Sequence, residues 1–426
     1  MQTQNTDCLY KRKVARFDFA KKPHRPGFLM YAAKYIVSWP MLKAHNFKLE
    51  KVNMEGIEDK PYLLLVTHSS IIDLPAMLYA THPMPVNNVM TLEGFNTYTE
   101  PLMRHLGVVG KRKFINDIHL VKNIRYCLNE LGSVFALFPE ARYSLDGCGS
   151  YLPDSLGKLA RLLGVPVVVL KLHGNFIHNP HWNKHGKKAL VEATLEQIVT
   201  KEETKTISPD QINVRIREAF TYDDFAWQRD NRIRIDHKKR ADGLHCLLYK
   251  CPACGKEHEM DSEGTHLWCK ACGKKWFMTE FGQLEDVNGG DAIYPHIPDW
   301  TAWERACVRE EVRGGTYHFE DNDVRIETLP NAWRFFKHGK GRVVQTSEGT
   351  TVECLDANGE LFTFTRDALN LDSMHIEYDY LGRGDCIDIS VSDNSFWCYL
   401  SKRDAITKIA FATEEIFKFA QEKNNG

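Results

Sequence analysis

The sequence predicts an α/β first half, then a small cysteine-knuckle module, then a mostly antiparallel β roll that ends in a helix. Three observations predict it. Up to about residue 225, short apolar runs of strand composition alternate with helical patterns. Between residues 251 and 273 a C-x2-C-G string occurs twice. From about 280 onward, short alternating segments are broken by turns such as Asp321-Asn322-Asp323, Asn358-Gly359 and Gly382-Arg383-Gly384-Asp385. At 426 residues the chain is long enough for two or three domains, and we divide it at 1–45, 46–228, 229–280 and 281–426. With 55 basic and 56 acidic residues, it has no global nucleic-acid signature.

Residues 1–45 carry nine Lys or Arg against Asp7 and Asp18. This excess overlaps the apolar stretch 28–39, in which Lys34 and Ser38 stand four apart on one helical face. A largely apolar helix with a basic flank suits a membrane interface, and packing on the domain core is the alternative. Interrupted by Lys34 and stopping at Pro40, it is shorter than the ~20 residues a crossing needs. Signal-peptide regions in their required order are not found, so the expected location is cytoplasmic and peripheral to the membrane.

Expected strands follow at 62–66, 86–91, 134–138, 165–171 and 189–195, with helices at 74–80, 98–106, 118–131 and 156–163. Ser208-Pro209-Asp210-Gln211 starts another helix, with a capping Ser, Pro at the first position and Gln three after the cap. His173, His178, His181 and His185 fall in a Gly/Asn/Pro loop at irregular spacing and read as loop histidines, near the site entrance, not as a metal site.

Two strings carry the chemistry: Thr67-His68-Ser69-Ser70-Ile71-Ile72-Asp73 and Phe138-Pro139-Glu140-Ala141-Arg142-Tyr143-Ser144. The first places His68 where the strand 62–66 ends, and one helical turn brings the Asp73 carboxylate back toward the imidazole. A carboxylate holding one ring N–H fixes the tautomer and leaves the other nitrogen to take a proton from a hydroxyl. H-x4-D alone is weak, because a strand-end histidine bonded to backbone has the same spacing. The second string adds an acid, Glu140, and a guanidinium, Arg142, at another strand's carboxyl end, where ligands gather in open α/β sheets.

In order and spacing these strings resemble the glycerolipid acyltransferase family, which includes the lysophosphatidic acid acyltransferases. That family carries N-H-x4-D, a Gly-and-basic motif, F-P-E-G-T-R-S, and an apolar stretch with Pro. Here the first is His68 to Asp73; the second resembles Gly107-Val108-Val109-Gly110-Lys111-Arg112-Lys113; and the fourth resembles Gly164-Val165-Pro166-Val167-Val168-Val169. In the third, Phe138, Pro139, Glu140 and Ser144 match, while Ala141-Arg142-Tyr143 replaces Gly-Thr-Arg. Over residues 25–225 the resemblance implies a mixed-sheet acyltransferase domain. It implies His68 as general base, Asp73 as its orienting partner, and Glu140 with Arg142 in the acceptor-binding wall. Lys111, Arg112 and Lys113 become a phosphate-binding cluster, although each lysine alone reads as a solvated charge. The implied reaction moves a fatty acyl group from acyl-CoA or acyl carrier protein to a lysophospholipid-like hydroxyl, with no catalytic cofactor.

Cys251-Pro252-Ala253-Cys254-Gly255 and Cys269-Lys270-Ala271-Cys272-Gly273, fourteen residues apart, read as a zinc ribbon with a closed, structural four-sulfur site. A redox pair is the competing reading. The other eight cysteines are scattered, as in a reducing compartment. The C-terminal pattern of about seven strands and a helix over 404–423 resembles a pleckstrin-homology-like roll, at the level of architecture only. Two other functions stay in view: a lipid-binding or scaffolding protein without turnover, and a nucleic-acid regulator built on the ribbon and on Lys238, Lys239 and Arg240. Nucleic acid is the less expected partner.

Overall fold

The computed structural model describes residues 5–96, 98–402 and 404–425, so the first four residues of the basic N-terminal segment lie outside it. Its first sheet has seven strands: β1 (Lys48–Val52), β2 (Leu63–Val66), β3 (Val86–Thr91), β4 (Val108–Lys111), β5 (Val134–Leu137), β6 (Val167–His173) and β7 (Glu192–Val199), in the order β1-β7-β6-β2-β5-β3-β4. Strands β6, β2, β5, β3 and β4 run parallel, and β7 turns back antiparallel on β6. The sheet is therefore mixed. The parallel centre reads Leu63-Leu64-Leu65-Val66 and Val134-Phe135-Ala136-Leu137 because it is covered on both faces. Opposite faces of β2 accordingly fall in two separate apolar cores, Leu64 and Val66 in one and Leu63 and Leu65 in the other.

Register positions the site. Leu65 pairs with Leu137, so His68 and Glu140, each three residues further on, leave the sheet side by side. Val66 pairs with Leu170, which brings the β6 exit, through Gly174 and Asn175, to the other side of His68. Helix Asp73–Ala80 begins at the expected carboxylate. The capping box of Ser208 and Gln211 starts helix Pro209–Ala219. The expected strand 189–195 starts later, at Glu192, and runs to Val199.

The apolar N-terminal stretch folds as one helical run, Phe28–Ala33, a wider-wound turn Lys34–Ser38, and Trp39–Ala44. It continues past Pro40, which stands two residues after the wider-wound turn, where the regular hydrogen-bond ladder is already broken. Its polarity is inverted. Lys34 and Ser38 are the buried pair, with Lys34 Nζ donating to the Met84 carbonyl at 3.1 Å. Phe28 is 82% exposed and Ile36 74%, and Tyr35, Val37 and Trp39 also face out. Residues 5–19, expected as part of a basic membrane segment, instead pack on the C-terminal body. Tyr10 Oη meets Thr328 Oγ1 at 2.8 Å, and Leu9 and Phe17 are buried.

Beyond residue 229, strands β8 to β11 (Met260–Glu263, His266–Cys269, Lys275–Met278, Leu284–Asp286) form a four-stranded antiparallel sheet around the cysteines. A third, curled sheet is antiparallel throughout, in the order β15-β14-β13-β12-β18-β17-β16. Its strands are β12 (Phe319–Thr328), β13 (Phe336–Thr346), β14 (Gly349–Leu355), β15 (Leu361–Asp367), β16 (His375–Glu377), β17 (Cys386–Ser390) and β18 (Ser395–Tyr399). The helix Ile406–Asn425 closes it, packed against Ile297–Arg313, a helix the alternating-segment reading missed. Among the described residues, no helix is long and apolar enough to cross a membrane.

Candidate functional site

His68 stands at the mouth of the parallel strands, its ring between Phe138 (centroids 4.5 Å apart) and Tyr143 (4.3 Å). Asp73 Oδ2 lies 3.0 Å from His68 Nδ1 and also accepts the backbone N–H groups of Ser69 (2.7 Å) and Ser70 (3.0 Å). Its other oxygen accepts from Asn175 Nδ2 at 2.7 Å. With Asp73 1% exposed, these four contacts fix the carboxylate and dictate that Nδ1 carries the proton. Nε2 is then the acceptor, and no hydrogen bond to it is made among the described residues. The imidazole stays 23% exposed, enough for a hydroxyl to reach it. Asn175 had no signature in the sequence, since the only cue was a polar residue just past a buried strand.

Glu140 is turned away from the cleft. Oε2 accepts the His68 backbone N–H (2.9 Å), and Oε1 accepts the Ser150 N–H (2.7 Å) and the Tyr222 hydroxyl (3.3 Å). Burial pushes its carboxyl up, opposed by the N–H groups of Ser150 and His68. This carboxylate clamps the loops that carry His68 and Ser150. The expectation that it lines the acceptor wall is therefore corrected: both oxygens are occupied from within.

The expected basic residues have other partners as well. Arg142 is 3% exposed and pairs with Glu414 of the last helix, which Arg305 grips from its far side. Tyr143, not Arg142, meets the imidazole. Ala141 reaches this turn with φ +56°, a left-handed conformation that glycine adopts freely. Arg112 donates to the carbonyls of Leu329 (2.9 Å), Pro330 (2.8 Å) and Asp393 (3.1 Å) and to Ser395 Oγ (2.9 Å). Lys113 is buried against Glu93 and, at 3.4 Å, Asp388. These three cations bind the C-terminal body to the first sheet, Arg112 and Lys113 in place of the expected phosphate role and Arg142 in place of the expected acceptor wall. Lys111 ends β4, three strand positions from β2, roughly 14 Å at ordinary spacing. Burial lowers its ammonium's proton affinity, against the pull of Asp117 and Asp372.

The loop histidines divide. His181 stands 5.4 Å from the Tyr143 ring, and its Nε2 is 3.1 Å from Glu377 of β16. It is thus a neighbour of the site. Burial alone would raise the Glu377 carboxyl, but His181 and His375 hold it well below the usual carboxylate range. His173 has a carboxylate of its own, Asp224 at 3.0 Å, and stacks on Trp227. His178 bonds the Lys187 carbonyl. His185 lies 3.2 Å from Asp242.

The four knuckle cysteines form one cluster. Cys251 and Cys272 sulfurs are 3.7 Å apart, as are those of Cys254 and Cys269. A tetrahedron with metal–sulfur bonds of ~2.3 Å has edges of about 3.8 Å, so a zinc-sized ion fits. Gly255 and Gly273, both at φ +73°, donate to the carbonyls of Cys251 (2.8 Å) and Cys269 (2.9 Å), so the two knuckles turn alike. Of the basic run beside them, Arg240 is buried and donates to the Met278 carbonyl at 2.7 Å. It is not a surface cation for a polynucleotide.

No protein-family model and no curated protein matches this sequence. Among solved structures, the 1-acyl-sn-glycerophosphate (LPA) acyltransferase PlsC from Thermotoga maritima is similar at 16% identity and a TM-score of 0.37. The likeness spans 45% of this chain and 76% of that one.

Proposed function

We propose that this protein transfers an acyl group from a CoA or carrier-protein thioester to the hydroxyl of a lysophospholipid-like acceptor. The observation that carries the reading is the His68–Asp73 dyad, with Nδ1 held at 3.0 Å and Nε2 left open beside a partly exposed ring. Nε2 takes the acceptor's proton as its oxygen attacks the thioester carbonyl. Asp73 steadies the imidazolium so formed, and collapse of the tetrahedral intermediate expels the thiolate, which regains the proton from Nε2. The acceptor we favour carries no phosphate against the third motif. There Tyr143 covers the imidazole and Arg142 is spent on Glu414, so an apolar or neutral headgroup suits this wall better.

The outward-facing Phe28, Tyr35, Ile36, Val37 and Trp39 support peripheral attachment to a lipid surface. Their helical run packs on helix Asp73–Ala80, whose Leu74 and Tyr79 are also exposed. The cysteine cluster is read as a structural zinc site, since four sulfurs leave no open position. One observation favours a lipid-binding protein without turnover: Arg112, Lys113 and Arg142 are all consumed in internal contacts.

The test incubates the full chain with labelled acyl-CoA and acyl carrier protein against lysolipids with and without phosphate, beside His68→Ala. Turnover lost in the variant is expected, with phosphate-free acceptors preferred. Lipid binding with no turnover from any donor would establish the non-catalytic reading instead.

A further inference from the structure

Away from the cysteine knuckles, the helical turn Leu244–Leu247 meets the entry of the last helix, and three metal-ligating side chains converge there. The sulfur of Cys246 lies 3.5 Å from His245 Nε2, and Asp404 Oδ1 lies 3.9 Å from the same nitrogen. All three donor atoms fall within 4.8 Å of one another. For a tetrahedral ion with bonds of ~2.0–2.1 Å to nitrogen or oxygen and ~2.3 Å to sulfur, donor separations of about 3.3–3.6 Å follow. The sulfur–nitrogen separation already fits such an ion, and the nitrogen–oxygen one must close by about 0.5 Å. A separation of 3.9 Å is, by contrast, too long for a hydrogen bond between imidazole and carboxylate.

Independent contacts orient the set. His245 Nδ1 is 2.7 Å from Ser262 Oγ on β8, the outer partner that fixes the ring of a ligating histidine and turns Nε2 toward the ion. Thr407 of the last helix donates to the Cys246 carbonyl at 2.6 Å, holding that backbone against the helix entry. Charge runs the same way. A second carboxylate, Asp385, accepts the Asp404 backbone N–H at 3.4 Å, so two acids gather at this point. A thiolate, an imidazole and a carboxylate of mixed softness suit Zn2+, and side-chain exposures of 22% for His245 and 18% for Asp404 leave a path for entry.

We infer that His245, Cys246 and Asp404 hold a second divalent transition-metal ion of the zinc class, which pins the cysteine-knuckle module to the C-terminal β body. Binding replaces the thiol proton by the metal and releases it to solvent, and the fourth position is filled by water. Unlike the four-sulfur cluster, this site keeps one place open.

The test is metal stoichiometry of the full-length protein, loaded with zinc chloride, desalted and measured by elemental analysis. Two zinc ions per chain are expected in the wild type. One is expected in Asp404→Asn and in His245→Ala, and one in Cys254→Ser with Cys272→Ser, which empties the knuckles instead. Circular dichroism checks that each variant is folded, and the near-isosteric Asp404→Asn at a partly exposed position keeps the question answerable if His245→Ala does not fold. Cobalt substitution gives a second readout. Cys246→Ser should remove part of the sulfur-to-cobalt absorption while leaving the four-sulfur spectrum. One zinc per chain in the wild type, or two retained in Asp404→Asn, would overturn the inference.

Discussion

Glu414 ties the last helix to Arg142, on the loop after β5, and to Arg305, on helix Ile297–Arg313, and replacing it with Ala should cost the fold heavily. Its carboxylate is 4% exposed and receives Arg142, itself 3% exposed, from one side and Arg305 from the other. Ser373 Oγ adds a contact at 3.4 Å. Nε and Nη1 of Arg142 have no hydrogen-bond partner, so Glu414 is what compensates that guanidinium. Removing one partner of a buried ion pair leaves an unpaired charge at a cost of about 3–5 kcal/mol. Arg305 is 23% exposed, and its loss still leaves Glu414 paired with Arg142, so Arg305→Ala should cost only about 1 kcal/mol. The pH dependence has a definite sign. Burial would raise the Glu414 carboxyl, but Arg305 and Arg142 outweigh it and hold the group below its ordinary value. The unfolded chain therefore binds the proton more readily. The stabilisation is complete above the unfolded value of about 4.3 and is lost as pH falls through the folded one. Urea unfolding of the full chain, with hydrogen exchange read on helix Ile406–Asn425, measures both effects. A loss below about 1 kcal/mol in Glu414→Ala, or an equal loss in Arg305→Ala, would refute the reasoning.

Lys187 is buried with no hydrogen-bond partner at its ammonium, only the Trp182 ring at 6.0 Å, and burial lowers its proton affinity to about 7. Between about pH 7 and 10.4 the unfolded chain holds a proton that the folded one does not, so stability rises with pH across that window. Lys187→Met should flatten this slope in pH-dependent melts and stabilise most below pH 7, by on the order of 4 kcal/mol. Ile36→Asp with Val37→Asp should weaken sedimentation with lipid vesicles roughly 100-fold, the equivalent of about 3 kcal/mol of lost apolar burial, while unfolding is unchanged because both side chains face outward. Chelating the metal proposed for the knuckles should red-shift tryptophan fluorescence, because Trp276 of the knuckle sheet is fully buried with its ring 5.0 Å from Trp300.

Much of the candidate site was legible because its parts are local. His68 and Asp73 are five residues apart, and both cysteine knuckles are self-contained turns. Arg112 was not legible, because its acceptors are mainly backbone carbonyls, one of them 217 residues away, and a carbonyl leaves no mark on a sequence. Arg142 shares the problem, since its partner lies 272 residues on. The missed helix Ile297–Arg313 did leave a signal. Trp300, Glu304, Val308 and Val312 are buried at a spacing of four, with Pro298 in the first turn, but the buried Glu304 disguised the apolar stripe. Strand β1 was hidden differently, as Lys48-Leu49-Glu50-Lys51-Val52 has the charged composition of a sheet margin.

That margin and its opposite number are guarded by different means. At β1 the exposed lysines 48 and 51 pair with Glu192 and Glu58, so repulsion and solvation deter a foreign strand. At β4 the guard is steric. Phe17 lies so close over Gly110 that an added Cβ would come within 2.4 Å of its ring, and Arg112 is bolted to the loops at Leu329 and Asp393. The N-terminal segment and the C-terminal body thus cover the β4 side of the first sheet between them. A cut that removed either would open the apolar cluster of Phe17, Val108 and Leu329, and loss of the C-terminal body would also strand the Arg112 guanidinium.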